Sequence, residues 1–155
     1  MDLDVSGENY VNDTSVEMAW ACKAVERAHI HMNLILNSDT TNLTLHKLQD
    51  SLYNEFRRLF PEMNVETVSV SEVELKGTNK EIWRNYCEFF KETVDEYNLG
   101  TILRIRADGA YSEENSIIVP KAIFLAIEIA RNKEGINGKL KQKIIEENKQ
   151  VNLGI

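Results

Sequence analysis

Residues 121–132, KAIFLAIEIARN, constrain this chain more than any other stretch. Helical spacing puts Phe124, Ile127 and Arg131 on one face and Ile123, Ile127 and Ala130 on an overlapping one. Apolar side chains therefore occur almost all round. A helix of that kind has no face to give to solvent and must run through the centre of the fold. Yet it carries Glu128 and Arg131. A buried carboxylate must be paired or hydrogen-bonded, and losing its partner costs about 3–5 kcal/mol. The partners at hand are Arg131, three residues on, and Arg104 or Arg106 in the stretch TILRIRA. From the residues alone three readings stand: a structural Glu128–arginine pair, a ligand-binding or catalytic Glu128, and simple exposure.

The rest of the chain supplies elements to surround that helix. TSVE offers Thr14 as N-cap and Glu17 as its capping-box partner, for a helix running to about Leu36. Its stripe is Met18, Cys22, Val25, His29, Met32 and Leu36. A row of small residues, Ala21, Ala24 and Ala28, lies beside it and allows close approach of another element. A turn-rich connection leads to a second helix through Leu45, Leu48, Leu52, Phe56 and Leu59, ended by Pro61. NVETVS reads as a short strand. SEVE and TNKE give further capping boxes, Ser71 with Glu74 and Thr78 with Glu81. A third helix shows Trp83, Cys87, Phe90 and Val94. TILRIRA alternates with period two, Asp108-Gly109 is a turn signal, and SIIV at 116–119 is the returning strand. Pro120 sits where a helix begins, and Gly135 and Gly138 break the fourth helix. The class is α+β: about four main helices packed on a small, mostly antiparallel sheet with strands near 64–69, 101–107 and 116–119. Residues 1–12 read as a flexible arm, 13–138 as a single domain, and 139–155 as a partly ordered or helical tail, since the tail's one apolar pair is Ile144-Ile145.

At 155 residues the chain buries enough surface to need no disulfide or metal staple. Its net charge of −7 argues against tracking nucleic-acid phosphates and suits partners with basic surfaces. Cys22 and Cys87 fall in apolar helical patterns and read as buried free thiols of a reducing compartment. With no apolar N-terminal run and no membrane-length window, the expected location is the cytoplasm. The seven glycines form no dinucleotide fingerprint or phosphate loop. His29 and His31 are two apart, the wrong spacing for shared metal ligation on a helix. No serine sits in a nucleophile elbow, and neither cysteine has a histidine nearby in sequence. No cofactor, metal or catalytic residue is expected. Glu113 and Glu114 are either a solvated turn or an acidic contact for a basic partner. Tyr111 and Asn115 flank them, and Asn115 is expected to stabilise the turn through its amide rather than to bind a ligand.

Five blocks in order, VEMAWACKA, YNEFRRLFP, WRNYCEFF, YNLGTILR and YSEENSIIVPKAIFLAIEIARNKEG, together resemble the polysaccharide-biosynthesis-domain-containing protein family. The match spreads over roughly residues 10–135, and the last block is its most specific part. The resemblance implies a small cytosolic chaperone dedicated to the translation elongation factor that delivers aminoacyl-tRNA, and a monomer is expected. The resemblance further implies that it engages the nascent factor's GTP-binding domain as it emerges from the ribosome, while charge and hydropathy lead to the expectation of no nucleic-acid or membrane partner. Carried over by position, the candidate partner-binding residues are Tyr111, Glu113, Glu114, Asn115, Arg104, Arg131 and Asn132. Trp20, Trp83, Gly100, Pro120, Glu128 and Gly135 are the structural ones, and Arg84 and Asn98 also lie in shared blocks. Lys121 stands where the family pattern commonly has arginine. The family's title points instead to polysaccharide biosynthesis, and a scaffold without chaperone activity is the third reading.

Overall fold

The computed structural model describes residues 7–73 and 77–153. In chain order the elements are α1 (Gly7–Asn37), a 3-10 turn (Thr40–Asn42), α2 (Gln49–Leu59), α3 (Val70–Val73), α4 (Lys80–Phe89), β1 (Gly100–Arg104), β2 (Ser116–Pro120), α5 (Lys121–Lys133), α6 (Ile136–Lys139) and α7 (Lys141–Leu153). The protein is mostly helical with a small two-stranded antiparallel sheet, an α+β fold.

Helix α5 is the hub, as its all-round apolar pattern requires. It packs against α2, α4, α6, the 3-10 turn and both strands. Pro120 is its N-cap residue, at φ −58° and ψ 145°. This lets one proline close the strand and open the helix without needing a backbone donor. At the far end Gly135 adopts φ 76°, a left-handed conformation that turns the chain into α6.

Strands β1 and β2 pair from Gly100↔Pro120 to Arg104↔Ser116. The strand expected at 64–69 contracts to one isolated antiparallel bridge, Thr67↔Arg106. Around it Val68 N–H donates to Ile105 O at 3.0 Å and Ala107 N–H to Glu66 O at 2.7 Å. The main core lies between the sheet, α2, α4 and α5. Its centre is aromatic: Trp83 stacks on Phe60 at 4.6 Å between centroids and meets Tyr86 edge-on at 5.4 Å. A smaller core of Met32, Ile35, Ala107, Ala110, Leu140 and Ile144 joins α1 to the C-terminal helices.

Several expectations are corrected. The helix through Thr14 begins by Gly7, so Thr14 and Glu17 do not mark its start; no glycine or proline between residues 8 and 14 interrupts it. Of the arm expected at 1–12, residues 1–6 lie outside the described residues. The buried edge of α1 is Ala24, Ala28, His31, Met32 and Ile35, while Met18, Cys22, Val25 and His29 are exposed. The alanines allow the sheet to approach the helix closely; of the bulkier stripe Met32 is buried and Leu36 half-buried, and the rest is left outside. For the same reason Cys22 is exposed rather than buried, whereas Cys87 is buried. Ser71 lies inside α3 rather than capping it, and Glu74 falls outside the described residues. The N-cap of α4 is Asn79, not Thr78. The tail, expected to be partly ordered or helical, is helical to Leu153: Ile144 packs with Leu140 and Val151 along one helical face and not with its neighbour Ile145. Residues 154–155 lie outside the described residues.

Candidate functional site

The polar centre of the molecule is built on Glu128, no part of which reaches solvent. Arg104, from β1, donates Nη2 to both carboxylate oxygens at 3.0 and 3.1 Å and Nε to Oε2 at 3.2 Å. Arg131, one turn along α5, donates Nη1 to Oε2 at 3.0 Å. Asn137 of α6 donates to Oε1 at 3.3 Å and to Asn132 Oδ1 at 2.7 Å. Two guanidiniums against one carboxylate leave an excess positive charge. Backbone carbonyls answer it: Ala107 and Gly109 accept from Arg104, and Val65 and Ile105 accept from Arg131. Burial works to raise the Glu128 carboxyl, but Arg104 and Arg131 outweigh it and hold the group well below the usual carboxylate range. Burial likewise brings Arg131 down to about 10 against the opposing pull of Glu128.

His31 reaches this network from α1. Its Nδ1 is 2.7 Å from the Tyr111 hydroxyl, and its Nε2 lies 3.9 Å from Glu128 Oε1. The ring meets Tyr111 and Phe124 edge-on. Burial pushes the imidazole down to about 4, against the pull of Glu128 and with Arg104 and Arg131 adding to the fall. It is therefore neutral at neutral pH.

These contacts sort the candidate residues. Arg104, Arg131 and Asn132 are buried within the network and Asn115 within the adjacent turn, so none of the four presents a surface to a partner. Asn115 stabilises its turn: its Oδ1 accepts from Arg106 N–H at 2.8 Å, and its Nδ2 donates to Arg106 O at 3.2 Å and Ala110 O at 3.0 Å. Glu113 and Glu114 point to solvent beside it, and Tyr111 is half-buried. Trp83 and Glu128 are interior. Gly100 is where α1 touches the sheet: a Cβ there would stand 3.0 Å from Trp20 and 3.2 Å from the Ile118 side chain. Ala24 and Ala28 are buried on the sheet-facing edge of α1. Arg106 turns outward and pairs with Asp108 and with Glu147 of α7.

Above the sealed network lies an open groove of about 220 Å³ between α1, β1 and the start of α5. Its walls are chiefly apolar, from Leu34, Leu45, Ile102, Phe124 and Leu125, and its floor includes His31 and Tyr111. Sequence reasoning found Glu128 and its arginines, but missed His31, Asn137 and the groove. His31 and Asn137 lie 97 and nine residues from Glu128 in the chain, and no spacing announces either contact.

The family model described as PBDC1 protein matches residues 16–142. The chain belongs to the PBDC1 family. Protein PBDC1 of Mus musculus is 42% identical over 130 residues, covering 84% of this chain and 65% of its own length. Protein PBDC1 of Homo sapiens is 40% identical over 135 residues, covering 87% of this chain and 58% of its own length. This PBDC1-family chain thus spans less than two thirds of the length of either mammalian relative. The solution NMR structure of a Saccharomyces cerevisiae protein is 31% identical, with a TM-score of 0.73 over 90% of this chain and 95% of that one. The family match includes the whole ion network, from His31 to Asn137, and both walls of the groove.

Proposed function

We propose that this PBDC1-family chain is a chaperone dedicated to the translation elongation factor that delivers aminoacyl-tRNA, shielding the GTP-binding domain of the nascent factor and transforming no substrate itself. The observation that carries the reading is the uncovered apolar surface of α1. Val16, Ile30 and Leu34 are exposed along one flank of that helix, and Ile118 of β2 is exposed beside it. Apolar side chains grouped in this way, rather than scattered singly, mark a surface that meets another polypeptide. The ion network supports the same reading from inside. Its carboxylate, Glu128, is sealed and accepts from Arg104, Arg131 and Asn137, so it serves to hold α5, β1 and α6 in register beneath that surface. Among the described residues no helix is long and apolar enough to cross a membrane, and action in the cytoplasm is part of the proposal. The protein would act as a monomer without a cofactor, by holding and then releasing as the client's own core closes.

Affinity capture of the tagged protein from a translating extract tests this. Ribosome-associated nascent elongation factor in the eluate, lost when Ile30→Asp and Leu34→Asp are combined, is the expected result. A glycan-assembly complex in its place, or capture indifferent to that double substitution, overturns it.

A further inference from the structure

The exposed side of α1 carries a pattern that its apolar residues alone do not reveal. Val16, Trp20, Lys23, Arg27, Ile30 and Leu34 follow one another at steps of four, three, four, three and four. That alternation places all six on one flank of the helix. Glu17 and Glu26 fall outside these positions. At 1.5 Å per residue the stripe is about 27 Å long. It borders the groove, which Arg27, Ile30 and Leu34 line from α1 and Lys121 lines from the start of α5. Acids outnumber bases 25 to 18 in this chain, yet among the described residues no aspartate or glutamate lines the groove. Around it the positive charge is reinforced: Lys121 and Lys47 both act on His46, next to the groove residue Leu45. The other large cavity flanking α1, by contrast, includes Glu113.

We infer that this flank and its groove receive an amphipathic helix of a partner polypeptide, apolar on its inner face and bearing aspartate or glutamate where it meets Lys23, Arg27 and Lys121. Three observations select that occupant. The local charge is opposite to the net charge of the molecule, so it attracts an acidic ligand. The stripe's length exceeds what a small carboxylate would cover, and it matches about five turns of helix. The site is a groove between helix and sheet rather than a protruding helix, on a chain whose net charge of −7 repels an anionic membrane. From the holding role above, the inference takes only that α1 receives a polypeptide.

The test uses the purified full chain and two fluorescein-labelled helical peptides, about 18 residues long, with one identical leucine-rich face. One carries glutamate on the flanks of that face and the other lysine. Fluorescence anisotropy should show the glutamate peptide binding about tenfold more tightly at low salt, with the advantage shrinking as salt rises. Lys23→Glu combined with Arg27→Glu should reverse the preference, a result that misfolding cannot mimic. Leu34→Asp should weaken both peptides. Equal binding of the two peptides, or an unchanged preference in the charge-reversed variant, overturns the inference. So does tight binding to vesicles of phosphatidylcholine with about 30% phosphatidylglycerol without binding to either peptide. Because no elongation factor is present, these outcomes are independent of whether that client is captured from extract.

Discussion

Glu128 binds two guanidiniums that together exceed its charge, so what it holds in place matters more than its own burial. Replacing it with glutamine keeps the shape but leaves Arg104 and Arg131 facing each other in the interior. Glu128→Gln is expected to cost about 3–5 kcal/mol, read as a lower urea midpoint with an unchanged slope. A midpoint equal to wild type would mean the arginines are satisfied by their carbonyls alone. His31 gives a pH signature. Its folded value, about 4, lies below the ordinary 6.5, so the unfolded chain binds the proton more readily in between. Stability is then complete above pH 6.5 and declines on acidification, by about 2 kcal/mol by pH 5. His46 is also pushed down, by partial burial and then by Lys121 and Lys47, and adds in the same direction. The comparison to make is therefore with His31→Gln, whose unfolding free energy should vary less between pH 7 and 5. Glu128 contributes below that window: its folded carboxyl is depressed, so its stabilisation is lost only as pH falls beneath the ordinary carboxylate value. At this scale the sequence was informative where chemistry forced a choice. A glutamate in an all-apolar helix had to find arginine. Nothing local told His31 from His29, because which one is buried depends on how the sheet meets α1.

Helices α1 and α7 show where patterns mislead and why. The large apolar residues of α1 form a tidy period, yet the edge packed on the sheet runs through Ala24 and Ala28, because helix-to-sheet distance is set by the smallest residues at the contact. In α7 one buried isoleucine, Ile144, suffices to dock the helix, since Leu140 and Met32 already line its pocket. Glu147 adds a latch: its carboxylate accepts from Arg106 Nη2 at 3.0 and 3.1 Å and from Ala110 N–H at 3.1 Å. Ile144→Ala is expected to lose about 2–5 kcal/mol. Hydrogen exchange should show the amides of α7 and of residues 107–110 losing protection together, while those of α4 keep theirs. At the α5–α6 junction, Gly135→Ala meets no neighbouring atom but must keep φ 76°. Its cost is one of backbone strain, about 1 kcal/mol, visible as a small drop in thermal midpoint.

Over the whole molecule, charge and apolar area are distributed unevenly. Acidic side chains dominate the total, and the loop bearing Glu113 and Glu114 projects on one side of α1 while the basic flank and its groove lie on the other. If both sides touch the client, charge reversal of Glu113 and Glu114 to lysine should weaken capture of nascent elongation factor separately from the groove substitutions. Undiminished capture would confine the contact to the groove. The α+β class, the central helix and the family blocks were legible because each rests on local period or ordered motifs. The groove was not, since it exists only where α1, β1 and the start of α5 converge.

The two thiols differ in a way that can be put to use. Cys87 is buried and pushed up to about 11 by its apolar surroundings, whereas Cys22 stands in solvent on the side of α1 away from the groove. A maleimide dye should therefore attach at one position in the native protein without any cysteine being engineered. Sitting on the same helix but turned from the basic stripe, that dye would sense an arriving client without standing in its way.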